Sequence, residues 1–85
     1  MNYFEYIKKA KNEFKTLVIE FPELANLSKR EMDVFAQLLT DQTLQEIATE
    51  LYISYSSVHF HCKNIYRKLG ISNRKQLLIK YKDLQ

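Results

Sequence analysis

Apolar residues recur along this chain at steps of three and four, the period of an amphipathic helix, and polar breaks divide them into five helical segments. The first spans residues 3–21, where Phe4, Ile7, Phe14, Val18 and Phe21 make a broad stripe with Tyr3, Ala10 and Leu17 beside it. Pro22 ends it, because the residue before a proline avoids the α region. After the connection Glu23-Leu24-Ala25-Asn26, a second helix opens at Leu27-Ser28-Lys29-Arg30-Glu31. Ser28 and Glu31 have the spacing of a capping box, with Leu27 and Met32 placed as a hydrophobic staple. Val34, Phe35, Leu38 and Leu39 continue the inward side to a polar break at Thr40-Asp41-Gln42.

The next two segments organise the rest. A short helix over residues 43–51 carries Glu46 in its first turn, where a carboxylate suits the helix dipole, and Ile47, Ala48 and Leu51 share one side. Tyr52-Ile53-Ser54 breaks it, and Ser54 is placed to cap a longer helix over 55–69. In that helix Val58, His61 or Cys62, Ile65 and Leu69 form the inward stripe, while Ser56, Ser57, His59, Phe60, Lys63 and Arg67 lie opposite. Gly70 supplies a left-handed stop. A last helix, capped at Ser72 or Asn73, turns Leu77, Leu78 and Tyr81 one way and Lys75, Lys80 and Lys82 toward solvent. A short helix, a three-residue turn and a longer helix with a basic outward side have the form of a helix-turn-helix that reads DNA. The fold class expected is all-α.

Composition narrows the classes. Eighty-five residues with one Gly and one Pro leave little room for a multi-stranded sheet. A single cysteine excludes an internal disulfide and cannot hold zinc alone, and it fits a reducing compartment. The first residues lack the apolar run of a signal peptide, and no stretch approaches the roughly 20 apolar residues of a membrane span. A cytoplasmic protein is expected. Glu5, Glu13 and Glu20 dilute the positive side of residues 3–21, which argues against a membrane-surface helix. That stripe is left for packing on the domain, for dimerisation, or for docking a protein partner. Net charge is +3, but residues 1–50 carry six basic against nine acidic residues, and residues 51–85 carry seven basic against Asp83 alone. A basic half beside an acidic half is the electrostatic footprint of a nucleic-acid binder; a solvated lysine-rich surface gives the same count.

The stretch Leu27–Arg74 resembles the LuxR/GerE-type helix-turn-helix domain of bacterial transcription regulators. The resemblance lies in Leu27-Ser28-x-Arg30-Glu31-x-x-Val34, Glu46-Ile47-Ala48-x-x-Leu51-x-Ile53-Ser54, Ser57-Val58-x-x-His61 and Ile65-x-x-Lys68-Leu69-Gly70-Ile71-x-Asn73-Arg74. It implies a four-helix domain over residues 27–85, with helix 55–69 in the major groove of double-stranded DNA; the amphipathic segment and connection over 1–26 precede that domain and are not covered by the resemblance. It further implies that Ser57 touches a phosphate, that His59, Phe60 and Lys63 face bases or backbone, that Glu46 and Arg74 hold the architecture, and that the last helix is the dimer contact. The DNA-contacting set expected is Thr43, Ser54, Ser56, Ser57, His59, Phe60, Lys63, Asn64 and Arg67. The dimer or partner set is Phe4, Ile7, Phe14, Val18, Leu77, Leu78 and Tyr81. Asp41, Gln45 and His59 stand where the family has glycine, lysine, and lysine or arginine, so the contact surface is less positive than the pattern implies.

Other chemistry is thin. His59 and His61 point to different sides of one helix and cannot share a metal; His61 is expected inside, bonded to a backbone carbonyl. Phe60 fits a thymine methyl or an ordinary surface aromatic. Tyr52 and Tyr55 flank the turn, either on a phosphate or in the core. There is no carboxylate pair, Ser/His/Asp set or Gly-rich phosphate loop, so no enzyme and no cofactor is expected. The reading is a small stand-alone regulator acting as a homodimer. The alternative is an interaction module that grips another regulator or the transcription machinery, with weak or shared DNA contact.

Overall fold

The computed structural model describes residues 20–84. Among them it has four α-helices and no strand: α1 (Lys29–Leu38), α2 (Leu44–Leu51), α3 (Tyr55–Leu69) and α4 (Arg74–Lys80). Short 3-10 helices precede and follow them, Pro22–Asn26 and Lys82–Leu84. The all-α class and the four-helix domain agree with the sequence reading. The expected helix over 3–21, with Phe4, Ile7, Phe14 and Val18, lies outside the described residues except for its last two positions.

Each α-helix starts where a side chain takes a free backbone N–H. Ser28 Oγ accepts from Glu31 N–H at 3.1 Å while Glu31 Oε1 accepts from Ser28 N–H at 2.9 Å. Thr43 and Glu46 repeat this at 3.1 and 2.9 Å. Ser54 Oγ accepts from Ser57 N–H, and Asn73, rather than Ser72, caps α4 by accepting from Gln76 N–H at 2.9 Å. Such caps contribute about 1 kcal/mol each, which matters for helices as short as these. Two ends are left-handed: Gly70, φ 69°, closes α3, and Tyr52, φ 57°, closes α2. Tyrosine at positive φ is uncommon; here Ile53 N–H donates to Ala48 O at 3.0 Å and holds the turn.

The core is built around α3. Val58, Cys62, Ile65 and Leu69 meet Val34, Phe35 and Leu38 of α1 and Ile47 and Ala48 of α2, all buried. Cys62 therefore completes the inward stripe. His61 is only half-buried, and its ring lies edge-on to Phe60 at 5.8 Å, so the expected interior histidine is corrected. Burial pushes the Cys62 thiol above its ordinary pKa, against the opposing pull of its hydrogen bond with Tyr66. That thiol is protonated and unreactive. Burial likewise raises the Tyr66 phenol to about 12.

A second correction concerns the last helix. Leu77 and Tyr81, expected at a dimer or partner contact, are fully buried in this chain's own core. Tyr81 is gripped edge-on by Phe21 at 5.1 Å and Phe35 at 5.2 Å. Its hydroxyl donates to Glu23 Oε1 at 2.9 Å. Burial first, and then this bond to a carboxylate, push its pKa well above the ordinary value. The physical reason is size. A small domain has few large side chains to fill its interior, and seven-residue α4 must spend its one apolar side on that. Leu78 is half-buried against the core, and the exposed apolar residue of α4 is Ile79, 63% exposed. Lys80, expected to face solvent, is exposed, and its ammonium also donates to Leu69 O at 2.9 Å and lies 3.9 Å from Glu23.

Candidate nucleic-acid interface

The outward side of α3 follows from its inward side. With Val58, Cys62, Ile65 and Leu69 buried, residues 56, 60, 63 and 67 fall at steps of four, three and four and share one ridge. Ser56, Phe60, Lys63 and Arg67 are all exposed along it, and His59 is exposed beside it. The ridge runs over most of the 15-residue helix. Asn64 and Ser57 are half-buried at its flanks.

At its N-terminal end the ridge is polar and anion-friendly. Ser54 Oγ donates to Ser57 Oγ at 2.8 Å and lies 3.2 Å from Ser56 Oγ, so three hydroxyls meet at the start of α3. No acidic residue stands in the first turn. Thr43, at the start of α2, is exposed with its hydroxyl engaged as a cap. Tyr52 is 95% exposed and Tyr55 47%, with Tyr55 packed edge-on against His59 at 4.7 Å. Neither tyrosine belongs to the core. The polar edge beyond is different: Asp41, Gln45, Glu46 and Glu50 are all exposed around α2. On this side of the molecule the positive charge therefore lies on the ridge of α3, while Lys75 and Lys82 are exposed at and beyond α4.

Counting cations in the sequence overstates that charge, because three of the seven in residues 51–85 are committed to the fold. Lys68 Nζ sits 2.7 Å from Glu31 Oε1. Burial raises the Glu31 pKa, but the hydrogen bonds from Lys68 and Ser28 outweigh it and hold the carboxyl below its ordinary value. Arg74 donates to Leu38 O at 3.1 Å and Thr40 O at 2.6 Å, supplying partners to carbonyls at the C-terminal end of α1. Lys80 is held as described. Lys63 makes no ion pair among the described residues, and Arg67 donates only to Asn64 Oδ1, at 3.3 Å. The expected architectural role of Arg74 thus has a geometry: it ties the start of α4 to the loop that leads into α2. Glu46 acts more locally, through its capping box with Thr43.

The committed pairs are what sequence reading missed. Glu31 reads as a capping residue, which it is, but its second partner lies 37 positions away. Tyr81 and Glu23 are 58 apart. Periodicity carries no signal for pairs of that separation.

Comparison with known proteins adds independent weight. The model of the family described as bacterial regulatory proteins, luxR family, matches residues 25–81. The chain is 43% identical over 60 residues to the spore germination protein GerE of Bacillus subtilis (strain 168), across 71% of this chain and 81% of that one. It is 43% identical over 51 residues to the transcriptional regulatory protein UhpA of Escherichia coli (strain K12), across 60% of this chain and 26% of that protein. With the probable transcriptional regulatory protein NarL of Mycobacterium tuberculosis (strain H37Rv) it shares 42% identity over 48 residues, 56% of this chain and 22% of the relative. The chain spans about a quarter of the length of the last two.

Proposed function

Because the chain belongs to the luxR family of bacterial regulatory proteins, we propose that it is a DNA-binding transcription regulator whose α3 lies in the major groove. The observation that carries this is the ridge of Ser56, Phe60, Lys63 and Arg67. It is exposed along its whole length, and its two cations are free of carboxylate partners among the described residues while Lys68, Arg74 and Lys80 are spent on the fold. The hydroxyls of Ser54, Ser56 and Ser57 at the start of α3 are suited to backbone phosphate. His59 and Lys63 are suited to base edges, with Asn64 and Thr43 at the flanks.

One such module buries too little surface for strong specific binding. The protein is therefore proposed to act as a homodimer on a two-fold symmetric site. With Leu77 and Tyr81 interior, the contact is assigned to the outward side of α4 around Ile79, and Phe4, Ile7, Phe14 and Val18 are proposed as further dimer or partner contacts. No helix among the described residues is long and apolar enough to cross a membrane.

The test is a salt-titrated gel shift on fragments from upstream of the protein's own gene. Binding should weaken linearly in log–log form, with a slope near −0.9 for each phosphate neutralised. Two free cations on each of two α3 helices set that slope at about −4 or somewhat steeper once flanking contacts are added. Absence of any shift in dilute buffer would remove the DNA reading and leave the interaction-module alternative.

A further inference from the structure

Phe60 is 63% exposed, and three of the four exposed large hydrophobic residues of the described chain lie within residues 52–60, at the head of α3. The phenyl ring lies edge-on to His61, with the ring centroids 5.8 Å apart. It stands at the centre of the ridge, one turn after Ser56 and one turn before Lys63. A polar duplex laid along this ridge must meet the ring with something apolar, since the ring can neither donate nor accept a hydrogen bond. The floor of the major groove offers one apolar group, the C5-methyl of thymine; guanine, cytosine and adenine edges present only donors and acceptors.

We propose that Phe60 sets a thymine requirement in the target site, by covering a C5-methyl group at the centre of the footprint of α3. This rests on the DNA reading above and deepens it by naming the class of sequence. The same residues argue against a guanine at that point. Bidentate guanine recognition needs Arg or Lys, and residues 55–62 contain neither. Covering a guanine or cytosine edge with a phenyl ring would strip water from polar groups and return no hydrogen bond.

The experiment isolates the methyl. Binding of the full chain is measured by fluorescence anisotropy, at low salt, on an alternating adenine–thymine duplex and on the same duplex with uracil in place of thymine. Wild type should bind the thymine duplex about fourfold more tightly for each methyl covered, the fold-change corresponding to about 0.8 kcal/mol per buried methyl-sized group. Phe60→Ala should bind both duplexes alike, and Phe60→Leu, which keeps an apolar tip, should recover part of the preference. Because the side chain is exposed, circular dichroism of both variants should match wild type. On guanine–cytosine duplexes, 5-methylcytosine should raise wild-type affinity and leave Phe60→Ala unmoved. Equal wild-type affinity for thymine and uracil duplexes, or the same preference in Phe60→Ala, overturns the thymine assignment while leaving DNA binding intact. Failure of wild type to bind any duplex overturns the DNA reading and this inference together.

Discussion

Lys63→Glu is expected to abolish retention on duplex DNA at physiological salt while the helical fold survives. Lys63 is exposed at the middle of the α3 ridge and has no ion-pair partner among the described residues. Its ammonium contributes nothing to the core, so removing it should leave stability within about 0.5 kcal/mol of wild type. On DNA the change deletes one attractive charge and adds a repulsive one. A single base or phosphate contact of this kind is worth about 1–3 kcal/mol, and a two-fold complex loses it twice. The combined loss is roughly a hundredfold or more in affinity. Lys68 is the control that separates charge from contact. It follows the ridge residue Arg67 directly in the chain and carries the same charge as Lys63, but it neutralises Glu31, whose side chain is 7% exposed. Lys68→Glu should lower the melting temperature before any effect on DNA is measurable, because it strands a buried carboxylate. Circular dichroism melts and gel shifts of the two variants, run side by side, check the distinction. Undiminished DNA binding by Lys63→Glu would shift the function toward a protein partner.

Tyr81→Ala is the largest expected loss of stability, about 4 kcal/mol by analogy with buried Phe or Trp truncations. The ring is fully buried between Phe21 and Phe35, and its hydroxyl bonds Glu23. Small domains hold only about 5–10 kcal/mol in total, so the variant should be close to unfolded at ambient temperature. Tyr81→Phe keeps the packing and loses the hydroxyl bond, at a cost of about 1 kcal/mol. Equilibrium urea unfolding measures both. The pair also decides between the two places assigned to this residue. If Tyr81 were an interface residue, Tyr81→Ala would leave the monomer stable and alter its association.

The sequence reading succeeded where the determinants are local. The bounds of α3 at Tyr55 and Leu69 follow from Ser54 as cap and Gly70 as left-handed stop. The Ser28–Glu31 capping box needs only a three-residue spacing. The exposed ridge is the complement of an inward stripe readable from one helical period. Reading failed where the determinant is a partner far along the chain. Leu77 and Tyr81 show the apolar side of a short helix, and that side looks the same whether it meets its own core or a second copy. Phe35 and Glu23 decide the matter, and they approach only in the folded chain. Likewise Lys68 and Lys80 read as part of a basic surface until Glu31, Glu23 and the Leu69 carbonyl are brought to them. His61 and Cys62 are neighbours on the edge of the stripe, and a rotation of one position, set by packing against α1 and α2, selects the cysteine.

The claim on which the account turns is that α3 presents its outward side to DNA. The most direct measurement is a set of backbone amide shift changes in the isotopically labelled protein as duplex DNA is added. The account predicts the largest changes at Ser54, Ser56, Ser57, His59, Phe60, Lys63 and Arg67, with Lys68 and Tyr81 nearly still. Changes concentrated on α4 with the α3 ridge silent would contradict it.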